Sequence, residues 1–295
     1  MFETEAERNA FLDRFKISRG KFAKATISWN TISDIEADFI RNESEFTRKV
    51  KACADCLQKC EYVHSLNYRV KNVEHLIEKI IRKNPDRIKN GTCITASNYR
   101  QQITDLMGVR VVLLYKDHWP MVHDYIMKHY GEQLHESPFA YVVKGDDISH
   151  YIDKKVKVKE SESYRSVHYV IEDDKSCIEI QVRTLAEEVW GEIDHSLRYP
   201  YNKSNQMLVR YMSLMADMSA SIDRMATFVC DYLNSFEKEG LFFSKDVVYN
   251  NILNELDKIE GNESVTENIR NLILSSEDYQ TLEDTSKVIG DILDE

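Results

Sequence analysis

Two runs rich in β-branched residues, 166–172 and 177–183, are separated by only a short polar link at 173–176. That is the pattern of a β-hairpin, and it commits the chain to building a sheet. A third run, GVRVVLLY at 108–115, reads as a buried strand. Elsewhere the apolar spacing is helical, over 5–16, 31–64, 72–83, 119–130, 185–197 and 205–237. The helix at 72–83 is expected to stop before Pro85, with a loop over 84–98. Residues 137–163 mix short β-prone pieces (AYVV, KVKVK) with charged loop. Only 9 Gly and 4 Pro punctuate 295 residues, so collagen-like and disordered classes are excluded. Strands interspersed with helices, and helices at both ends, predict an α+β mixed-sheet protein.

The longest apolar stretches are broken by charge and fall far short of the ~18 residues a membrane span needs. The opening MFETEAER has no apolar signal region. A cytoplasmic protein with no membrane association is expected, its six cysteines reduced. Cys53, Cys56, Cys60 and His64 resemble a row of metal ligands on one helical face. One straight helix would spread them over about 16 Å, whereas zinc holds its ligands within ~2.3 Å. They read instead as a core-facing stripe.

The formal net charge is −11, which argues against broad electrostatic binding to nucleic acid. The charge is uneven, however. Residues 241–295 carry −9 and residues 1–240 only −2, while 65–100 carry +5. A local basic patch there suits a polyphosphate: Arg69, Lys71, Lys79, Arg82 and Lys83 fall within it, and Lys79 and Lys83 are one helical turn apart.

Along 177–184, Ile178, Ile180 and Val182 face one way while Glu179, Gln181 and Arg183 face the other. Such a polar face is either solvated or functional. Asp105 stands at the entrance of the strand that contains Arg110. Two carboxylates from neighbouring strands, Asp105 and Glu179, can hold Mg²⁺, which keeps waters and substrate phosphates in its shell. Arg110 reads as a phosphate contact or as the partner of a structural carboxylate. His195 reads equally as a site residue or as a satisfied core histidine.

Arg69-x-Lys71, Glu74-His75-Leu76-x-x-Lys79 and Asp105-Leu-x-Gly108-Val-Arg110 come in order with Tyr164-Arg-Ser-Val-His168, Glu179-Ile-Gln-Val-Arg-Thr184 and Trp190-x-x-x-x-His195. Together they resemble the synthetase domain of the RelA/SpoT alarmone synthetases, over roughly residues 30–240. The resemblance implies a nucleotidyltransferase-like mixed β-sheet flanked by helices, with N- and C-terminal helical extensions. Its segments would be N-terminal helices at 1–65, a synthetase core at 66–200, a packing helix at 201–240 and an acidic helical tail at 241–295. It implies Mg²⁺-dependent transfer of pyrophosphate from ATP to the 3′-hydroxyl of GDP or GTP, making (p)ppGpp. Asp105 and Glu179 would be the catalytic and metal residues. Arg69, Lys71, Lys79, Arg82, Lys83 and Arg110 would bind ATP. Tyr164, His168, Gln181, Arg183 and Glu162 would bind the acceptor.

The chain departs from the family where a Pro-Lys-x-Asn-Gly stretch usually precedes the stacking Tyr, for here Lys159-Glu160-Ser161-Glu162-Ser163 stands. Carboxylates repel phosphate, although Glu can accept hydrogen bonds from the edge of guanine. Two further readings follow: a toxic relative that pyrophosphorylates the 3′ end of tRNA, paired with an antitoxin or regulatory partner, and a catalytically silent nucleotide sensor. A homo-oligomer is expected in each case. The His123-Asp124 pair resembles a metal dyad of the family's hydrolase domain but lacks companion ligands, and reads as coincidence.

Overall fold

The computed structural model of the chain describes residues 2–197 and 205–239. The hairpin forms as its alternation dictates: β5 (Ser166–Asp173) and β6 (Ser176–Thr184) pair antiparallel as far as Asp173↔Ser176. The two residues between them, Asp174 and Lys175, take positive φ of 47° and 63°. That is the turn hand that matches strand twist. Around the hairpin stand β1 (Ser65–Val70), β2 (Met107–Leu113), β3 (Phe139–Val143) and β4 (Lys157–Ser161). The strand order is β1-β2-β6-β5-β3-β4. The β2/β6 and β3/β4 pairs are parallel and the others antiparallel, so the sheet is mixed, as expected.

Helices α1 (Glu5–Arg14), α2 (Arg19–Lys24) and α3 (Trp29–Leu57) precede the sheet, and α4 (Val73–Lys89) and α5 (Tyr99–Gln102) join β1 to β2. Then come α6 (Trp119–Tyr130), α7 (Ser149–Asp153), α8 (Leu185–Leu197) and α9 (Gln206–Glu239). One apolar core runs from Phe2 and Phe11 through Ile32, Phe46 and Ile80 to Val109, Ile178 and Val182, so the N-terminal helices share a core with the sheet. Contacts divide the chain into two compact units, Met1–Ala216 and Asp217–Glu295. The division falls inside α9, and of the second unit only the helical residues through Glu239 are described. The expected acidic tail at 241–295 lies outside the described residues. Among the described residues no helix is long and apolar enough to cross a membrane.

Two boundaries differ from expectation. The helix expected to reach His64 ends at Leu57, because the turn that follows buries Cys60 and Val63 itself and His64 N–H already donates to Val112 in the sheet. The helix expected to stop before Pro85 continues to Lys89 with the proline inside it. A proline there forfeits one helical hydrogen bond. Its neighbour Asn84 is fully buried; Asn84 Nδ2 donates to Ala25 O at 2.8 Å and Asn84 Oδ1 accepts from Ile94 N at 2.9 Å. Those two bonds tie the turn down. The strand β1 escaped the periodicity altogether, since it is an edge strand whose residues are largely exposed and do not alternate.

Candidate active site

The sheet register assembles the polar residues. Arg69 pairs with Gly108 and Gly108 with Glu179; Asn67 pairs with Arg110 and Arg110 with Gln181. Residues in register point to the same side of a sheet, so three strands present one polar face. The opposite face, with Val109, Val111, Ile178, Ile180 and Val182, is buried. The polar face is therefore no plain solvated surface, because α8 lies against it. At the Arg183-Thr184 step β6 passes into α8 without a loop, and a capping box holds the joint. Thr184 N donates to Glu187 Oε2 at 2.9 Å and Glu187 N to Thr184 Oγ1 at 3.1 Å. Trp190 Nε1 donates to Met212 O at 2.7 Å, which anchors the far side of α8. The cleft between holds Asn67, Tyr68, Arg69, Asp105, Gly108, Arg110, Glu179, Gln181, Glu192 and His195.

At one end of the cleft, Lys71 and Lys79 reach Asp105 Oδ2 at 3.1 and 2.5 Å. Burial pushes the Asp105 carboxyl up, but the two ammonium groups outweigh it and bring its pKa to about 2. Burial lowers the pKa of Lys71, aided by Lys79, against the pull of Asp105. The other oxygen, Asp105 Oδ1, is buried with no hydrogen-bond partner. A buried unpartnered carboxylate oxygen is costly unless something fills its site. Among the described residues no group of three or more His, Cys, Asp or Glu forms a cation cage. Mg²⁺ asks for less, taking one or two carboxylates plus phosphates and water. The donor set of Asp105 and Glu179 fits it.

Glu179 is held at both oxygens. His168 Nδ1 lies 3.1 Å from Oε1, and Gln181 Nε2 donates to Oε2 at 2.8 Å. Burial raises the Glu179 pKa, yet the His168 contact and the Gln181 amide bring it below the usual value. Both contacts lead back to Arg183, which donates to Gln181 Oε1 at 2.7 Å and to the Tyr164 hydroxyl at 3.2 Å. That hydroxyl lies 3.1 Å from His168 Nε2. Two hydrogen-bond chains thus run from one guanidinium to the two oxygens of one carboxylate. Arg183 is 5% exposed and threads beneath Gly191, where a Cβ would lie 2.4 Å from its Nη1.

The other expected residues divide. Arg69 lines the cleft and is exposed. Arg110 lines it too, but its Nη1 is bound by Glu188 at 2.6 Å and by Glu192. Arg82 is turned to Glu78 on its own helix, and Lys83 is half-buried near Lys79; neither lines the cleft. Tyr164 is half-buried between Tyr141 and Trp190 with Arg183 over its ring, and Glu162 is exposed just beyond β4. His195 lines the cleft. Glu188, Glu192, Gly191, Phe139 and Tyr141 were not singled out from the sequence; Phe139 stacks on His168 at 5.1 Å. The EEVWGE spelling of α8 held a signal for the first three, since Glu188 and Glu192 are one turn apart on the helix that follows the hairpin.

Two side motifs lie outside the cleft. Cys53 and Cys60 are buried and Cys56 is half-buried, but His64, past the end of α3, is exposed, so the core-facing stripe stops at Cys60; burial pushes the Cys53 thiol up to about 12. His123 is buried 2.9 Å from the Tyr169 hydroxyl, and Asp124 binds Lys154.

A family model described as a region found in RelA / SpoT proteins matches residues 68–204. GTP pyrophosphokinase YwaC of Bacillus subtilis is 27% identical over 142 residues, which are 45% of this chain and 57% of that protein. The chain thus spans a little over half the length of this curated relative. The crystal structure of small alarmone synthetase 1 from Bacillus subtilis aligns at 19% identity and a TM-score of 0.48, covering 67% of this chain and 98% of that one. A GTP pyrophosphokinase family protein from Streptococcus pneumoniae aligns at 21% identity and a TM-score of 0.39, covering 79% and 97%. From Tyr68 to His195, the residues that line the cleft fall within 68–204, the segment that the family model matches, and only Asn67 of the lining lies outside it.

Proposed function

We propose that the chain is an ATP-dependent pyrophosphokinase that moves the β,γ-pyrophosphate of ATP to the 3′-hydroxyl of GDP or GTP, making (p)ppGpp. The observation that carries this reading is the pairing in one cleft of a buried, unpartnered Asp105 oxygen with Glu179, beside Arg69 and Arg110. The name of the Bacillus subtilis relative, a GTP pyrophosphokinase, supports it over the matched segment.

Mg²⁺, held by Asp105 and Glu179, would neutralise the charge that spreads over the phosphates. Arg69 and Arg110 meet the phosphates from the strands, and Lys71 and Lys79 hold Asp105 while adding positive charge at its side of the cleft. Glu179 takes the proton of the attacking 3′-hydroxyl as that oxygen bonds to the β-phosphorus. The bond from the β-phosphorus to the α-bridging oxygen breaks, and AMP leaves with that oxygen. The chains from Arg183 fix both Glu179 oxygens before substrate arrives, which is the positioning that phosphoryl transfer chiefly needs. His168, Tyr164, Phe139 and Tyr141 form the aromatic wall beside Glu179 on the acceptor side.

The test is transfer from γ-labelled ATP with Mg²⁺ to GDP, GTP, GMP, ADP and deacylated tRNA, each offered in turn. Label on GDP or GTP is expected. Label on tRNA alone would move the chain to the toxic reading, and nucleotide binding without transfer to any acceptor would leave the silent sensor.

A further inference from the structure

The guanidinium of Arg110 already holds carboxylates in the cleft. Arg110 stands in the middle of β2, half-buried, with its guanidinium in the cleft. Its Nη1 is shared by two carboxylates of α8 that differ in kind. Glu188 is mostly buried and also lies 3.3 Å from Arg183, so it belongs to the framework. Glu192 is 59% exposed, lines the cleft, and binds only through its tip. The lining itself sets Arg69 and Arg110 against Asp105, Glu179 and Glu192, while Lys71 and Lys79 are bound to Asp105 and Glu188 to Arg110 behind it, so the cleft has no excess of positive charge before any ligand binds. A polyphosphate entering such a cleft gains little until one carboxylate leaves.

We propose that Glu192 is an affinity-setting residue: its carboxylate occupies the phosphate position on Arg110 and must swing out before the donor's polyphosphate chain can engage that guanidinium. The exposed side chain is free to leave, whereas Glu188 stays and keeps Arg110 aimed. Glu192 therefore weakens the binding of any polyphosphate. This rests on the reading of the cleft as an ATP site, and the experiment separates the two.

Dissociation constants for ATP with Mg²⁺, and for inorganic triphosphate with Mg²⁺, are measured by calorimetry on the full chain, Glu192→Gln, Glu192→Asp and Glu43→Gln. Exposed ion pairs are worth up to about 1 kcal/mol, so release of Arg110 should tighten both ligands about two- to fivefold in Glu192→Gln. Glu192→Asp, too short to hold Arg110 but still charged, should tighten them less. Glu43→Gln, on the exposed side of α3, removes the same charge elsewhere and should change neither. The KM for ATP should fall with the dissociation constant. Unchanged or weaker binding in Glu192→Gln, with wild-type binding intact, overturns the role of Glu192 and leaves the pyrophosphokinase reading standing. Binding of neither ligand by any form overturns both.

Discussion

Gly191 shows how one absent side chain decides the geometry of the cleft. A methyl group at that position would lie 2.4 Å from Arg183 Nη1, so the guanidinium must move. Arg183 is a flexible side chain, but it is buried and committed to Tyr164, Gln181 and Glu188. Gly191→Ala gains up to ~1 kcal/mol of helix propensity and loses charged hydrogen bonds worth about 1.5–3 kcal/mol each. We expect a net loss of about 1–3 kcal/mol of unfolding free energy, read as a lower urea midpoint. Transfer activity should fall at least tenfold, because both donors to Glu179 lose their common anchor. An alanine variant with wild-type midpoint and rate would sink the anchoring role of Arg183. The alternation of Glu179, Gln181 and Arg183 was plain in the sequence, and so was the shared face. The hydrogen-bond chains were not, because which same-face side chains bond to one another depends on their rotamers and on α8, whose Gly191 leaves Arg183 its place.

At the level of elements, α4 and the β5/β6 hairpin are each held by a local device. Asn84 bonds Ala25 O and Ile94 N inside the protein, and Asn84→Ala would strand both backbone groups. The expected cost is about 2–4 kcal/mol, read as a lower thermal midpoint, and a drop below about 0.5 kcal/mol would contradict it. The hairpin offers the opposite case. Lys175 holds φ of 63°, a conformation that costs an ordinary residue about 1 kcal/mol and costs glycine nothing. Lys175→Gly should stabilise the fold by about 0.5–1 kcal/mol, read as a higher urea midpoint, and a lower midpoint would show that the lysine side chain matters more than its backbone. Asp174 is best left alone, since it lies 3.8 Å from the buried Lys49. Elements with strong periodicity, such as α6, α8 and the hairpin, fell where the sequence put them. The edge strand β1 and the far end of α4 did not, because their placement rests on long-range contacts with Val112, Ala25 and Ile94.

Over the whole molecule, the formal charge of −11 hides a nearly neutral body, and the acidic excess lies beyond residue 240. Stability against acid should therefore depend on particular carboxylates rather than on net charge. Among the described residues Asp105 is tied to two lysines, with a pKa of about 2 in the folded chain against 3.8 ordinarily. A carboxyl depressed on folding stabilises the protein fully above its ordinary pKa and loses that contribution as pH falls through the folded value. The contribution is about 2 kcal/mol, complete above pH ~4 and gone near pH ~2. Asp105→Asn removes it at every pH and leaves Lys71 and Lys79 facing each other. Asp146 and Glu192 also have lowered pKa values, but they do not feel Asp105 and cancel in the difference; Glu179, whose carboxyl the Asp105 charge pushes up, loses that push in Asp105→Asn and adds a smaller acid-side change of its own. The stability gap between wild type and Asp105→Asn, taken from urea titrations, should be flat between pH ~7 and ~5 and narrow steadily below pH ~4. A gap that stays constant down to the acid transition would mean that the lysines do not depress Asp105, and the charge balance assigned to that end of the cleft would fall with it.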